Sequence, residues 1–584
     1  MNTKKAAGLI ALAVGVALPL SACGGGGGST SPSSSGSGSG TSTAAATAKG
    51  GTLYYLTKRA AEHLDPQRTY IGRDLADMGR LWSRSLVQFP ASTDATTAST
   101  PVPDMATDTG KSSNGGKTWE FTLKDGIKWQ DGQPVTCADL KYGVSRSFAT
   151  DVITGGPNYV LTYLPSVAKI YSGPYSSKPA GQAAFDKAIT CSSDNKTITY
   201  NFEKPWADFP LNLASLRSFD PYRKDKDQGA KSNYAIFSDG PYMLQGTWTK
   251  GTGGTFVRNP NYDPSTDTVR KALPDKIVFT EGLTNELIAQ RLIADNGNDQ
   301  NAVTDRAIPP AFYTQITGSV ATRAVNPQSP FVDYLLPNFN TMKNLKVRQA
   351  LAMATNKVGY ITALGGDKTG VPAKSIVNPS LAGYKPNPAF TAPDAGDPAA
   401  AKKLLQDAGV TLPYPIKYTY PGGTPTSDKA AQALKATWDQ AGFSTTLVSL
   451  PDTYYDVIQN LHYTGGDVLW GGWGADWPSM STVLPPLFDD RINFSATSNG
   501  QDYGNFKDAK ADSLMDQAAA ATSLDQANTV YQQLDQYLGE QVAYIPLAVE
   551  KFYLLHGSGV TNYMVDPASN SYPDLAVIGV KSGS

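Results

Sequence analysis

"PIKYTYPGGTPTSDKAAQALKATWDQAGFSTTLVSLPDTYYDVIQNLHYTGGDVLWGGWGADWP", residues 415–478, decides the fold class because its apolar residues change period along its length. "PIKYTY" (415–420) and "STTLVSL" (444–450) read as strands. Between them Ala431, Leu434, Trp438 and Ala441 fall on one helical face, and Gly442 stops the helix. A short helix from Asp452 to Leu461 and a third strand, "GDVLWGG" (466–472), complete the pattern. Strand, helix, strand, helix, strand is the order of a parallel sheet covered by helices. In such sheets ligands bind beyond the carboxyl ends of the strands. Asp476 lies a few residues past the third strand, among Trp470, Trp473 and Trp477. Two readings follow. Asp476 is the acid of a ligand cleft with Trp473 and Trp477 as its walls, or it caps a turn after a core strand. Alternation turns Trp470 toward the core, whereas the glycines leave Trp473 and Trp477 undetermined.

The neighbouring segments extend the doubly wound pattern. "NLKVRQALAMATNKVGYITALGG" sets Val347, Leu351, Ala354, Val358 and Ile361 on one face of a single expected helix that Gly365 stops. Asp397-Pro398 opens another, with Asp as N-cap and Pro in the first turn. The first half reads differently. "GTLYYLT" (51–57), "KTWEFTLKDGIKW" and "KTITYNF" alternate as strands. Thr136 and Asp139 make a capping-box pattern before Leu140, Val144 and Phe148. This half is a mixed region of strands and long loops, so the whole is α/β with mixed sheets and flanking helices.

The N-terminus is an address. Lys4 and Lys5 precede a short run of small and apolar residues that ends in Leu-Ser-Ala-Cys at 20–23. This is the composition of a secretory signal, residues 1–22, and the run is too short to span a bilayer. The ending resembles the bacterial lipobox, which implies that Cys23 carries a diacylglyceryl group after cleavage. Residues 24–50, "GGGGGSTSPSSSGSGSGTSTAAATAKG", have almost no apolar bulk and read as a flexible tether. Its ends lie about 25–30 Å apart by random-coil scaling. The folded part is thereby expected to hang off the outer face of the cytoplasmic membrane, held by lipid alone. Past the lipobox only Cys137 and Cys191 remain, and an extracytoplasmic pair suggests a disulfide, the alternative being two buried thiols. A formal net charge of −1 with 17% charged residues leaves no basic footprint for nucleic acid.

Catalytic motifs are absent. His63, His462 and His556 have no metal-ligand spacing, and neither a G-x-S-x-G elbow nor an H-E-x-x-H motif occurs. "GKSSNGGKT" (110–118) imitates a phosphate loop but separates Gly110 from Gly116 by five residues and runs into a strand, so it reads as a hairpin turn. No metal or cofactor is implied. Sequence alone still leaves room for a secreted hydrolase that sets two carboxylates across a cleft.

Seven blocks carry a more specific resemblance. "TWEFTLKDGIKWQDGQPVTCADLKYGVSRSF" (118–148) is similar to the signature segment of the family-5 extracellular solute-binding proteins, the peptide, dipeptide and nickel binders of ABC importers. "KTITYNFEKPWADFPLNLA" (196–214), "DGPYMLQGTW" with "RNPNYD" (239–263), "NFNTMKNLKVRQALAMATNK" (338–357), "DPAAAKKLLQDAG" (397–409), "GGWGADWPS" (471–479) and "VYQQLDQYLGEQVAYIPL" (530–547) follow in the family's order. The resemblance implies a two-lobed periplasmic-binding-protein-like fold. Lobe I would span 51–320 with a subdomain near 75–195, lobe II 325–525, and a return segment, 526–584, would complete lobe I. It also implies hinge closure on an oligopeptide-like solute, an ABC permease and its ATPase subunits as partners, and a monomer. In the peptide binders an acid after a "GW" strand end meets the ligand's α-ammonium, and that acid corresponds to Asp476. Asn340 in "NFNT" matches a recurrent family position, and Tyr55, Arg59 and His63 lie in a segment that passes near the cleft. The same scaffold in other relatives takes sugars or metal chelates, and those alternatives stay open here.

Overall fold

Tyr414–Tyr420 runs parallel to both of its neighbours. It pairs with Phe443–Ser449 along its whole length and with Val468–Gly474 at Tyr418 opposite Val468. These strands come from a computed structural model that describes residues 49–176, 179–451 and 453–581. The signal peptide, Cys23, nearly all of the tether and Asp452 lie outside the described residues. The first connection is the helix Pro425–Gln440, capped by Thr424 with Ser427 and burying Ala430, Ala431, Leu434 and Trp438. The second is the short helix Tyr454–Ile458. Val468–Gly474 then pairs antiparallel with Gln328–Pro337, which pairs antiparallel with Ile545–Lys551, and Gly370–Pro372 closes a six-stranded sheet.

The single helix expected over 344–364 is two, Leu345–Ala354 and Lys357–Leu364. Asn356 causes the break. Its side chain accepts from Gly359 N at 2.7 Å and starts the second helix, while Thr355 takes an extended ψ. A fresh N-cap turns the second helix, so Val358 points to solvent instead of continuing the apolar face.

The second main sheet has five strands in the order Ala302–Thr304, Thr52–Leu56, Lys276–Thr280, Gly253–Arg258 and Tyr242–Thr249. The first three are parallel and the rest antiparallel. These two sheets are the bases of the two lobes. A four-stranded antiparallel sheet, Lys111–Ser113, Thr118–Thr122, Thr197–Asn201 and Ile189–Cys191, forms the subdomain of the first lobe. Its alternation is as read: Trp119, Phe121, Ile198 and Tyr200 are buried. The stretch at 110–118 is the hairpin turn, with Asn114, Gly115 and Gly116 all at positive φ. Cys137, at the start of the helix Cys137–Arg146, is disulfide-bonded to Cys191 at the end of Ile189–Cys191.

The chain passes between the lobes along two paired paths. Ala324–Val325 pairs with Leu554–Leu555, and immediately beyond them Gln328–Pro337 pairs with Ile545–Lys551. Helix Leu524–Glu540 packs in the second lobe's core and Ile545–Lys551 lies in its sheet, because their apolar faces are matched to that sheet. From Tyr553 onward the buried residues belong to the first lobe's cores. No helix among the described residues is long and apolar enough to cross a membrane.

The disulfide closes a loop with a sequence separation of 54. Replacing both cysteines by alanine is expected to destabilise the subdomain by about 4 kcal/mol through loop-closure entropy. Urea unfolding with and without reductant checks this, and an unchanged midpoint in the double variant contradicts it.

Candidate functional site

The glycines of "LWGGWGADWP" make room for rings on the adjacent strand. A Cβ on Gly471 would fall 2.3 Å from the Tyr334 ring, and one on Gly474 would fall 2.6 Å from the Phe331 ring. Tyr334 and Phe331 stand directly opposite these glycines in the antiparallel register. The strand thus packs flat beneath two aromatic side chains and ends at Gly474, and the turn that follows projects Asp476 out of the second lobe.

Asp476 meets the first lobe. Its Oδ2 accepts from Tyr70 Oη at 2.7 Å and from Tyr159 Oη at 2.5 Å. Burial raises the acid's pKa, and the two hydroxyl donors oppose that shift without cancelling it. Burial and the nearby carboxylate push both phenols far above their ordinary value, so they act as neutral donors. Among the described residues this partly buried carboxylate is served by neutral hydroxyls, which is an environment that favours a cation.

A cavity of about 210 Å³ lies beside this acid. Its wall is drawn from both lobes: Tyr70, Leu75, Phe89 and Leu216 come from the first, and Phe331, Leu381 and Asp476 from the second. Arg80, Gln88 and Arg217 also reach it, and Pro567 to Asn570 of the returning chain contribute Pro567, Ser569 and Asn570.

The tryptophans divide. Trp477 lines the cavity but is only 3% exposed, because its ring enters the aromatic core of the first lobe's subdomain. It packs edge-on against Tyr159 at 4.6 Å, and its Nε1 donates to Asp208 Oδ2 at 2.7 Å. Ser481 Oγ donates to the same oxygen at 2.6 Å. One turn of the second lobe is therefore fastened to the first by a ring, two hydrogen bonds to Asp208 and two to Asp476. Trp473 is half-buried against the second lobe's core and donates to Thr482 O at 2.8 Å, outside the cavity wall. Trp470 donates to Tyr360 Oη at 2.9 Å within that lobe.

Four candidates from the sequence lie elsewhere. Tyr55 points inward from Thr52–Leu56, fully buried and stacked on Phe279 at 4.7 Å, because strand alternation assigns it to the core. Arg59 is exposed on the following loop. His63 Nδ1 is 2.9 Å from Asn233 Oδ1. Asn340 is exposed at a turn, where its backbone N–H donates to Asn338 Oδ1 at 3.0 Å. Tyr70, Tyr159 and Asp208 carry no periodic signal in the sequence. Each stands in or beside a loop, and only the acid's demand for donors points to the two tyrosines.

A carboxylate trio, Asp489, Asp490 and Asp512, lies within 4.8 Å. Arg491 bonds Asp489 at 2.9 Å and approaches Asp512 at 3.9 Å, so a guanidinium already pairs with two of the three.

Comparison with known proteins agrees with this architecture. Residues 100–495 match the sequence profile of the bacterial extracellular solute-binding proteins, family 5 middle. The chain is 25% identical over 452 residues to the probable deoxycholate-binding periplasmic protein YgiS of Escherichia coli (strain K12), covering 74% of this chain and 77% of that one. It is 25% identical over 460 residues to the periplasmic murein peptide-binding protein MppA of the same organism, covering 76% and 79%. Among solved structures, the clavulanic acid biosynthesis oligopeptide binding protein 2 superposes with a TM-score of 0.81 at 26% identity, over 92% of this chain and 96% of that one. These relatives and fold neighbours are binding proteins, not enzymes.

Asp208→Ala leaves the Trp477 indole and the Ser481 hydroxyl without their charged acceptor, a loss of about 1.5–3 kcal/mol for each such bond. Amide hydrogen exchange over residues 474–482 is expected to accelerate at least about tenfold, since 1.4 kcal/mol is a factor of ten. Unchanged exchange there contradicts the fastening role.

Proposed function

This chain belongs to family 5 of the bacterial extracellular solute-binding proteins, and on that premise we propose that it captures peptide-like solutes with a free amino terminus in the interlobe cavity and delivers them to the permease of an ABC importer. The observation that carries the reading is Asp476, a partly buried carboxylate whose donors among the described residues are neutral, set where the lobes meet. An α-ammonium offers three N–H donors and a full charge, and its bonds to a carboxylate are short and charge-assisted. The apolar wall excludes water and strengthens the pairing.

Capture proceeds by hinge closure about the two crossing paths near 324–328 and 551–555, whose pairing supports a common axis. We assign the first lobe to residues 51–327 with 552–581, including the subdomain, and the second to 328–551. The acid and its tyrosine partners sit on opposite lobes, so a ligand that engages both favours the closed state. Cleavage before Cys23 and acylation of that cysteine would leave the protein as a monomeric lipoprotein on the outer face of the cytoplasmic membrane. ATP hydrolysis belongs to the importer's separate subunits.

The apolar wall of Leu75, Phe89, Leu216, Phe331 and Leu381 also favours a second reading. It suits an amphipathic organic acid of the kind in the name of the deoxycholate-binding relative.

Asp476→Ala is expected to weaken a peptide with a free amino terminus by 2–5 kcal/mol, about 30-fold or more, while the N-acetylated peptide changes little. Calorimetry on the pair checks this, and equal losses on both peptides contradict the ammonium role. The pH dependence has a definite sign. The ammonium requires ionised Asp476, whose pKa is raised by burial, so affinity falls as pH drops through that value, starting at higher pH than for an exposed aspartate. Asp476→Asn is expected to bind weakly and without this pH dependence.

A further inference from the structure

A second cavity, of about 480 Å³, adjoins the one beside Asp476. Pro330, Ser380 and Pro567 line both, so the two spaces meet at these residues. Other segments run from one into the other. Ala95 stands on the second cavity, and Ser99, at the end of the helix Ala95–Ala98, stands on the first. Asn378 lies on the second and Leu381 on the first. Together they form a groove that starts beside Asp476 and runs along the chain's crossing segment at 325–330. Ala95, Gln328 and Pro379 are exposed, so its far end opens to solvent. The groove is present in the same structure in which the lobes touch at Asp476, so its contents and that contact coexist.

The chemistry changes along the groove. No residue lining the second cavity carries a charge. Pro327, Pro330, Pro379 and Pro567 give it walls without a backbone N–H. Its polar side chains are engaged with the protein. Asn378 Nδ2 donates to Ser329 O at 2.9 Å, and Asn378 Oδ1 accepts from Ser380 N at 3.0 Å and Ser380 Oγ at 2.8 Å. Ser571 Oγ donates to Gln328 O at 2.8 Å.

The arginines of the first cavity are turned into the protein as well. Arg80 donates to Phe89 O at 2.7 Å and to Asp574 Oδ2 at 2.9 Å. Arg217 donates to Ser85 Oγ and Ala214 O. They are 4% and 2% exposed.

We propose that this groove carries the far end of the ligand out of the molecule, so that the protein takes amino-terminated peptides whose C-terminal end is extended or joined to a larger group. The amino terminus is fixed at Asp476 and the tail is accommodated without being read. A charged end meets no counter-charge in the groove, and an extended backbone meets proline where a strand edge would offer it a ladder. Specificity then resides at the amino end, and the cavity sets no upper limit on length. This rests on the reading of the cavity as the ligand site.

The test uses the mature protein, stripped of ligand by unfolding and refolding, and two probes. One is tri-alanine with both ends free. The other is the same tripeptide extended by a Gly-Ser linker of six residues that ends in a benzophenone, a reach of about 30 Å when extended. Calorimetry is expected to give the two probes affinities within about threefold of each other, well under the 1.4 kcal/mol that makes a factor of ten. Illumination is expected to join the benzophenone to segments 93–95, 325–330 or 563–571, with Met564 on the groove wall as the main site. Ala95→Trp, an exposed substitution that narrows the groove alone, is expected to weaken the extended probe at least about tenfold and leave tri-alanine unchanged. An extended probe that binds the wild type more than about tenfold worse than tri-alanine overturns the groove and leaves the peptide reading standing. So does cross-linking confined to other segments, or an Ala95→Trp variant that binds the extended probe as the wild type does. A wild type that binds neither probe overturns the peptide reading and the groove with it.

Discussion

The contact on which the rest depends is the one between Asp476 and the hydroxyls of Tyr70 and Tyr159, because it is made by opposite lobes. A carboxylate drawn out of water needs compensation, and two neutral hydroxyls supply only part of it. Its pKa is therefore raised although it accepts two hydrogen bonds. In the proposed function, that residual deficit is what an ammonium would meet. A salt bridge to a protein lysine or arginine at the same place would satisfy the acid and remove its affinity for an ammonium.

The turn that carries Asp476 also carries Trp477 and leads to Ser481, and all three reach into the first lobe. Trp477 gives up the core of its own lobe to fill a gap among Tyr159, Trp206 and their neighbours. Asp208 receives both polar groups of this segment on one oxygen. The contact surface is thus partly apolar packing, which is indifferent to ligand, and partly charge, which is not. Under the proposed hinge closure, the ring would give a standing contribution and the charged groups of the cavity a ligand-dependent one. Under the same proposal, the paired crossing strands would confine relative motion of the lobes to a path that makes or breaks this contact.

Much of the fold was legible because burial imposes a period. The three parallel strands after 414, the helix that buries Leu434 and Trp438, and the alternating strands of the subdomain follow from patterns of 3.6 and 2. The capping box at Thr136 was legible because it is local chemistry. The break at Thr355–Asn356 was missed because apolar spacing runs through it, although Asn356 is a good N-cap. Of the candidate site, the sequence singled out Asp476, where strand order and position combine, and Trp477, which also lines the cavity. Trp473 and Trp477 share a local sequence context yet go to different lobes, and a glycine-rich turn gives no period by which to tell them apart. Tyr70, Tyr159, Asp208 and Arg217 belong to a surface that exists only once two distant segments meet. No window of sequence contains it.

The central claim is that a solute is held between the lobes with its cationic group on Asp476. A crystal structure of the mature protein with the ligand that co-purifies from its native host tests this most directly. The account requires electron density for that ligand in the cavity, with a nitrogen within hydrogen-bond distance of an Asp476 oxygen and at least one of the two tyrosine hydroxyls displaced or retained as a second donor. Ligand density on another surface, or in the cavity with an uncharged or anionic group against Asp476, would contradict it.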